Sequence, residues 1–441
     1  MADDDTADDE VPEYVIPPGG GVPWMDLTDE ESHRPAERDI GITDVSTMVL
    51  RGNFRWGIVR VETNAGVTGY GEVHGEGPQE LGLLEGQNPL DVERVQDIRG
   101  AAGPGVEMAL WDIKGKLLDV PAYELMGGKY RDSVEVYCDT HGGESLGEAQ
   151  SGTVDPRDVY TPGSYAEAAR EVVDAGFDAL KFDLDVRTHA DVDTAARRLD
   201  NAAIEHKTAL VEAVREEVGY DVTLGFDLHW NFTVETATRL AEKLEPFDLA
   251  WLEDPVPPRK YDAHRRVREA TSCPIMTGEN LRDSGEFKEM LDADGMDVAA
   301  PDPHNCGGLR DFRRIAHLCD LEGVPIVAHN IQGPIGTVAS AHAAATVPNF
   351  VALEYHAFDV PWFEDLVSRT GASGDVIEDG EISLPEGPGL GVEIDWDVAR
   401  EHMAAGELSD EEFERRLDRL LDAEREERAS VDERSKERSR E

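Results

Sequence analysis

The chain is short of positive charge, and of lysine above all. Its 441 residues hold 42 Lys and Arg against 94 Asp and Glu, a formal net charge of −52 at pH 7, and only nine of the bases are lysines. A surface this negative repels phosphate backbones and anionic headgroups, so we expect neither nucleic acid nor a membrane as a partner. Because salt screens repulsion between like charges, the acid excess favours a protein kept soluble at high salt over an ordinary acidic protein.

Cysteines and long apolar runs are also scarce. Cys138, Cys273, Cys306 and Cys319 show no CxxC spacing, which argues against a disulfide framework and a zinc site. No apolar run approaches the ~20 residues that span a bilayer. The first residues lack the positive start and apolar stretch of a signal peptide. We therefore expect a cytoplasmic protein.

Composition and pattern divide the chain into four predicted parts. An acidic, Pro/Gly-rich segment poor in aliphatic residues reads as a flexible arm. Next comes an α+β capping domain, in which a hairpin turns at Asn64 and Gly66 and a helix covers residues 105–118. A repeating strand and helix pattern follows, and a charged helical tail ends the chain. The predicted boundaries of the four parts are 1–40, 41–130, 131–395 and 396–441.

The third part predicts an α/β fold, a complete (β/α)₈ TIM barrel. Eight short apolar stretches recur, separated by amphipathic stretches such as 195–218, 233–244 and 309–321. The polar residues that end the last six stretches are 26, 26, 23, 27 and 25 residues apart, about the length of a strand, a helix and two loops. A doubly wound sheet is the alternative, but no Gly-rich phosphate loop follows a strand. The eight predicted strands are 134–137, 179–182, 222–226, 250–252, 274–276, 298–300, 325–327 and 351–353.

Three carboxylates close consecutive strand–helix units: Asp227, Glu253 and Glu279. In a (β/α)₈ barrel the residues at the carboxyl ends of the strands meet at one mouth, where the active sites of this fold lie. Three acids meeting there would repel one another unless a cation neutralised them. Hard oxygen ligands near water and substrate suit Mg²⁺, so we predict a magnesium site.

Histidines at neighbouring strand ends predict acid–base chemistry. His329 ends the seventh strand and Asp302 the sixth, close enough for the carboxylate to hold one imidazole nitrogen and leave the other as a base. His229 lies two residues after Asp227, and because positions i and i+2 of an extended strand face the same way, it should point into the same mouth.

Five further residues are candidates at the predicted mouth, and His141 and His304 are the weaker ones. Glu354 ends the eighth strand and, if protonated, could donate to a substrate oxygen or orient it. Lys181 and Asp183 end the second strand, and His141 and His304 have no assigned role.

The motifs at these positions resemble the enolase superfamily, and within it the mandelate-racemase-like acid-sugar dehydratases. The resemblance covers residues 41–395, and the chain is most similar to archaeal gluconate, xylonate and arabinonate dehydratases. One departure is clear: the racemase pattern has Lys-x-Lys on the second strand, whereas here Lys181 is followed by Phe182 and Asp183. The matching segments are 105–116, 124–128, 226–230, 251–255, 277–280, 301–302, 306–308, 328–334 and 352–356.

Carried over residue by residue, the resemblance implies a role for each candidate. Asp227, Glu253 and Glu279 would bind Mg²⁺, and Asp302 with His329 would form the base dyad. His229 would protonate the leaving 3-hydroxyl.

The resemblance also implies how the substrate is held and what reaction it undergoes. Glu354 would bind a carboxylate oxygen of the substrate, and Lys181 would contact its carboxylate. The expected reaction converts a sugar acid, an aldonate, through an enediolate to its 2-keto-3-deoxy acid. Separately, we expect the chain to form a homo-oligomer.

Two alternatives to the dehydratase remain at this stage. A racemase, epimerase or cycloisomerase would use the same scaffold, although the loss of the second lysine removes one of the two bases that racemisation needs. A metal-bound scaffold without catalysis would leave the acid–base pair idle. Stereochemistry would be read by loops of the capping domain, for which residues 20–35 and 52–57 are the candidates.

Overall fold

The computed structural model describes residues 40–75, 81–96, 98, 103–142, 160–185 and 198–403. The predicted acidic arm and the predicted tail helix after residue 403 therefore lie outside the described residues. Among the helices that are described, none is both long and apolar enough to cross a membrane.

The N-terminal part is a three-stranded antiparallel sheet covered by one helix. Strands β1 (Ile42–Arg51), β2 (Arg55–Thr63) and β3 (Thr68–His74) pair in sequence order, and the turn at Asn64–Gly66 confirms the predicted hairpin. After the short helix α1 (Val92–Gln96), the predicted helix is α2 (Pro104–Leu118). It lies so close to β3 that a Cβ on Gly71 would meet the Gly105 carbonyl oxygen at 2.0 Å. Only glycine permits this approach.

The predicted barrel is confirmed, with all eight strands in the predicted places. The strands are parallel and hydrogen-bonded in sequence order, and the last pairs with the first, which closes the barrel. They are β4 (Ser133–Thr140), β5 (Ala179–Asp183), β6 (Thr223–Asp227), β7 (Trp251–Glu253), β8 (Ile275–Thr277), β9 (Val298–Ala299), β10 (Ile326–Ala328) and β11 (Phe350–Tyr355).

Helices connect these strands, and their starts follow from local capping. The helix predicted at 195–218 begins at Asn201, because the Asp200 side chain accepts a hydrogen bond from the amide of Ala203. The predictions at 233–244 and 309–321 are confirmed. The described helices that lie between α2 and the eighth barrel strand are α3 (Ala122–Leu125), α4 (Pro162–Asp174), α5 (Asn201–Val218), α6 (Val234–Leu244), α7 (Tyr261–Arg268), α8 (Ser284–Asp292), α9 (Leu309–Leu321) and α10 (Pro334–Ala344).

The segment after the barrel returns to the N-terminal sheet, which the sequence pattern did not predict. Strand β13 (Glu381–Ser383) adds antiparallel to β4, while β12 (Val367–Arg369) pairs with β14 (Val392–Ile394). Helix α11 (Trp396–Glu401) follows, and the carbonyl oxygen of His402 accepts a hydrogen bond from the amide of Arg51.

Two buried carboxylates of the N-terminal part fasten it to the barrel. Glu72 accepts hydrogen bonds from the amides of Gly333 and Gly336 at the start of α10, and Glu107 accepts from those of Leu309 and Arg310 at the start of α9. Helix N-termini leave such amides unpaired and favour negative charge. Burial nevertheless raises the pKa of each carboxyl group to about 7. These contacts set the cap over the carboxyl ends of the strands.

Candidate active site

The carboxyl ends of six barrel strands bring the predicted residues to one mouth. Asp227 and Glu253 are the last residues of β6 and β7, and Glu279 lies two residues beyond β8. Asp302 and His329 follow β9 and β10, and Glu354 lies within β11. This is the end of the barrel at which the sequence placed the active site.

The three predicted metal ligands converge and could hold a cation. One oxygen from each of Asp227, Glu253 and Glu279 lies within 4.8 Å of the others, and all three residues are buried. Burial and the neighbouring acids raise the pKa of Glu253 well above its usual value, although Lys181 acts in the opposite direction. Among the described residues, Oε1 of Glu253 has no hydrogen-bond partner. An all-oxygen set with an unpaired buried oxygen fits a hard divalent cation such as Mg²⁺.

Lys181 lies below these carboxylates, enclosed by four acids. Its Nζ is 2.8 Å from Glu354, 3.0 Å from Glu253, 3.3 Å from Asp227 and 3.4 Å from Asp139. Burial alone would lower the pKa of Lys181, but the surrounding acids outweigh it and raise the pKa well above the usual value. The lysine is therefore a fixed internal cation. With 1% of its surface exposed, it offers little area to a substrate.

His329 and Asp302 form the predicted pair. Nδ1 of His329 is 2.9 Å from Oδ2 of Asp302, and its Nε2 is 3.1 Å from Glu279 and 3.8 Å from Glu354. Burial would raise the pKa of Asp302, but hydrogen bonds from His304 and His329 outweigh it and hold the pKa well below its usual value. An ionised Asp302 fixes the proton on Nδ1. Nε2 faces Glu354 and Glu279, and burial, which would lower the pKa of His329, is outweighed by these acids and Asp302, which raise it well above its usual value. A cation held by the triad would offset their charge and favour the unprotonated form of the base.

His229 reaches the mouth by a different route from the one predicted. The strand ends at Asp227, and His229 and Trp230 take left-handed backbone angles, with φ of 40° and 51°, so strand alternation does not apply. The imidazole still faces the site, with Nε2 3.7 Å from Asp227 and Nδ1 3.0 Å from Asp185. Burial would lower the pKa of His229, but Asp227, Asp183 and Asp185 outweigh it and raise the pKa well above the usual value.

Asp183 occupies the position of the second lysine in the racemase pattern. With Asp185 and His229 it forms a second group whose ligand atoms lie within 4.8 Å of one another. Nδ1 of His141 is 3.6 Å from Asp183, which places this weaker candidate at the edge of the same group. The departure from the racemase pattern thus surrounds His229 with carboxylates.

Glu354 is buried and bound as an acceptor. It accepts a hydrogen bond of 3.1 Å from the amide of Asn330 in addition to its ion pair with Lys181. Burial would raise the pKa of Glu354, but Lys181, His329 and a hydrogen bond from Asp139 together outweigh it and hold the pKa well below the usual value. The ionised form cannot donate, so the arrangement does not support the expectation of a protonated Glu354.

Three residues at the mouth escaped the sequence reasoning. Asp139 belongs to β4, which runs past the predicted end of that strand, and His356 lies just beyond β11 with Nε2 3.4 Å from Asp139. Asn53 comes from the loop between β1 and β2 and donates to Nδ1 of His356 at 3.2 Å if that nitrogen is unprotonated. Extending the first apolar stretch by two residues would have found Asp139. The loop at 52–57 does reach the mouth, whereas 20–35 lie outside the described residues.

Two family models match the chain. The one described as mandelate racemase / muconate lactonizing enzyme, N-terminal domain, matches residues 87–127. The one described as enolase C-terminal domain-like matches residues 164–398, more than half of the chain. The second match spans barrel strands β5 to β11 and every predicted metal ligand and catalytic residue.

Proteins with sugar acid dehydratase names are similar to most of the chain. D-xylonate dehydratase of Haloferax volcanii is 44% identical over 401 residues, which are 86% of this chain and 93% of that protein. D-galactonate dehydratase of Xanthomonas oryzae pv. oryzae is 30% identical over 370 residues, 78% and 90% of the two chains. D-gluconate dehydratase of Thermoproteus tenax is 30% identical over 300 residues, 68% and 55% of the two chains.

Solved structures show the same architecture. A mandelate racemase/muconate lactonizing enzyme-like protein from Rubrobacter xylanophilus matches with a TM-score of 0.77 at 37% identity, over 83% of this chain and 98% of that one. A mandelate racemase/muconate lactonizing enzyme from Sulfitobacter matches with a TM-score of 0.71 at 27% identity, over 84% and 97%.

Proposed function

The chain belongs to the enolase superfamily, among the mandelate racemase/muconate lactonizing enzymes, and from this premise we propose that it is a Mg²⁺-dependent sugar acid dehydratase. One observation carries the proposal: two histidines contact different members of one carboxylate triad, His229 at Asp227 and His329 at Glu279. Loss of water from a carboxylic acid needs a base at C2 and an acid at C3, and this arrangement supplies one histidine for each.

His329 acts as the base. Its Nδ1 is held by Asp302, so Nε2 is the nitrogen that takes the proton from C2 of the substrate. Asp302 remains ionised and stabilises the imidazolium that forms.

His229 acts as the acid. The carboxylates around it favour its protonated form, and Asp185 holds its Nδ1, so Nε2 delivers a proton to the 3-hydroxyl. The C3–O bond breaks as the electron pair from C2 forms the C2–C3 double bond, and water leaves. The enol tautomerises to a 2-keto-3-deoxy acid.

The remaining residues hold charge and position. Asp227, Glu253 and Glu279 would hold the Mg²⁺, which when bound supplies positive charge against the negative charge that develops on the substrate carboxylate. Lys181 adds a fixed positive charge beneath the same carboxylates. Glu354, fixed by Lys181 and the Asn330 amide, lines the site beside His329.

The substrate we propose is a five- or six-carbon aldonate. The 44% identity to a D-xylonate dehydratase favours D-xylonate as the first to test, and the other relatives favour gluconate and galactonate next. Arabinonate, expected from the sequence motifs, completes the set. The racemase alternative is disfavoured because Asp183 stands where that pattern has its second lysine. A cytoplasmic location and a homo-oligomeric state remain predictions.

The test is a panel of C5 and C6 aldonates incubated with the purified protein and Mg²⁺. Formation of a 2-keto-3-deoxy acid from at least one of them supports the proposal. A substrate whose C2 is inverted without loss of water would instead identify a racemase or epimerase. Absence of both products over the whole panel would reject the dehydratase assignment.

A further inference from the structure

Asp302 is held by two imidazoles, one on each carboxylate oxygen. Nδ1 of His329 lies 2.9 Å from Oδ2, whereas Nδ1 of His304 lies 3.3 Å from Oδ1. The backbone amide of His304 donates to the same Oδ1 at 2.7 Å. The carboxylate is thus anchored through one oxygen and presents the other to the base.

His304 has a site shaped to its ring. Its residue is 8% exposed, and it follows β9 in a turn where the amides of Asn305 and Cys306 bond to the Asp302 carbonyl oxygen. The ring abuts the first turn of α10 at Gly336, where a Cβ would lie 2.6 Å from His304 Nε2. The imidazole ring therefore fits in this place because residue 336 is a glycine.

We propose that His304 is a positioning residue for the base: it fixes Oδ1 of Asp302 so that Oδ2 stays on Nδ1 of His329. The inference rests on the proposed function, in which His329 takes the C2 proton. A carboxylate anchored only by its backbone contact could rotate away from His329, and the base would then lose both its orientation and the proper nitrogen for the proton.

The ionisation of Asp302 also supports the proposed role of His304. Burial would raise the pKa of this carboxyl group, whereas the hydrogen bonds from His304 and His329 both lower it. A residue that only filled space would keep the backbone hydrogen bond to Oδ1 but would not supply the side-chain hydrogen bond.

The inference requires a side-chain hydrogen-bond donor at position 304. Two substitutions separate the effect of this hydrogen bond from the effect of filling the space. His304→Leu removes the side-chain donor and fills its place with an apolar side chain, so kcat for the aldonate should fall about 10- to 100-fold with KM little changed. His304→Asn places an amide N–H near the position of Nδ1 and should recover most of kcat. Exchange of the C2 proton with D₂O should fall together with dehydration, because His329 serves both.

Further variants keep the test decisive if His304→Leu does not fold, and supply a control. Gly336→Ala pushes the ring from the α10 side with His304 intact and should also lower kcat, even if His304→Leu does not fold. The added methyl group would also lie 2.8 Å from Cβ of Gln332. The loss of kcat caused by Gly336→Ala should therefore be smaller when His304→Ala is already present, because only the contact with Gln332 then remains. His264→Leu, which replaces a buried histidine on α7, is the matched control and should keep kcat.

A second readout does not require turnover. In ¹⁵N-histidine-labelled protein, the Nδ1–H signal of His329, identified by its loss in His329→Asn, should shift in His304→Leu and return in His304→Asn. If the wild-type protein dehydrates no aldonate, the proposed function is rejected. The Nδ1–H signal of His329 would still show whether His304 positions Asp302. An unshifted signal, full kcat in His304→Leu, or a His304→Asn as slow as His304→Leu at equal Tm would overturn the role of His304.

Discussion

Nζ of Lys181 lies 2.8 Å from Oε1 of Glu354, deep in the barrel mouth and below the predicted metal ligands. This lysine is the cation that offsets four buried carboxylates, two of which belong to the ligand triad. The protein thus carries an internal positive charge close to where negative charge develops on the substrate.

Lys181→Met should destabilise the fold and abolish activity. Removing one partner of a buried ion pair leaves uncompensated charge, at a cost of about 3–5 kcal/mol. Urea unfolding measures this cost, and a steady-state assay measures kcat. The matched control is Lys207→Met, which removes another buried lysine, on α5, and should retain kcat when folded. Activity in Lys181→Met near that of wild type would contradict the role given to Lys181.

Removal of divalent cations should abolish turnover, and added Mg²⁺ should restore it. Without the cation, no divalent positive charge at the triad offsets the negative charge that develops on the substrate carboxylate. Glu253→Gln removes one charge and an oxygen with no other partner among the described residues, so calorimetry should show weaker Mg²⁺ binding. Glu242→Gln, which removes a surface charge on α6, should bind Mg²⁺ normally. Full activity after exhaustive chelation would refute the metal assignment.

Much of this site was predictable because barrel geometry depends on spacing. Strand ends about 25 residues apart fixed which side chains meet, and Asp227, Glu253, Glu279, Asp302 and His329 do meet. Local periodicity carries no information on contacts between distant segments. It therefore missed Asn53, which comes from the loop between β1 and β2, and the short strands β12 to β14, whose three residues each are too few to establish an alternation.

His229 shows a different limit of sequence reasoning. Its location at the mouth was predicted correctly, but from an extended strand that ends two residues earlier. The left-handed backbone at His229 and Trp230 is stabilised by contacts that no local pattern reveals, including the bond from the Trp230 amide to the Asp254 carbonyl oxygen.

Stability should rise with salt. At a net charge of −52, self-repulsion acts over about 10 Å in about 0.1 M salt but only about 3 Å in about 1 M salt. We expect Tm to increase when KCl is raised over this range, measured by differential scanning calorimetry. Sorbitol at equal osmolality is the control and should give a smaller increase. An unchanged Tm in KCl would show that repulsion does not limit the fold.

Glu72 should make stability depend on pH with a definite sign. Burial raises its pKa from 4.5 to about 7, so the folded state binds more protons than the unfolded state between these values. The stability it contributes is present below pH 4.5 and is lost as pH rises through about 7. The unfolding free energy of wild type relative to Glu72→Gln should therefore fall by about 3 kcal/mol over this range. A difference that is flat or rises with pH would contradict the raised pKa.

The central claim is that His329 removes the C2 proton and His229 completes the loss of water. With D-xylonate, or whichever aldonate the panel identifies, wild type in D₂O with Mg²⁺ should yield a 2-keto-3-deoxy acid carrying deuterium at C3. His229→Asn should form no product but still exchange the C2 proton, because the first step remains intact.

The most direct single measurement is the NMR time course of that aldonate with His329→Asn in D₂O and Mg²⁺. We predict that the C2 proton signal persists and that no 2-keto-3-deoxy product appears, while Mg²⁺ binding stays normal. A His329→Asn protein that dehydrates the aldonate at near the wild-type rate would contradict the mechanism.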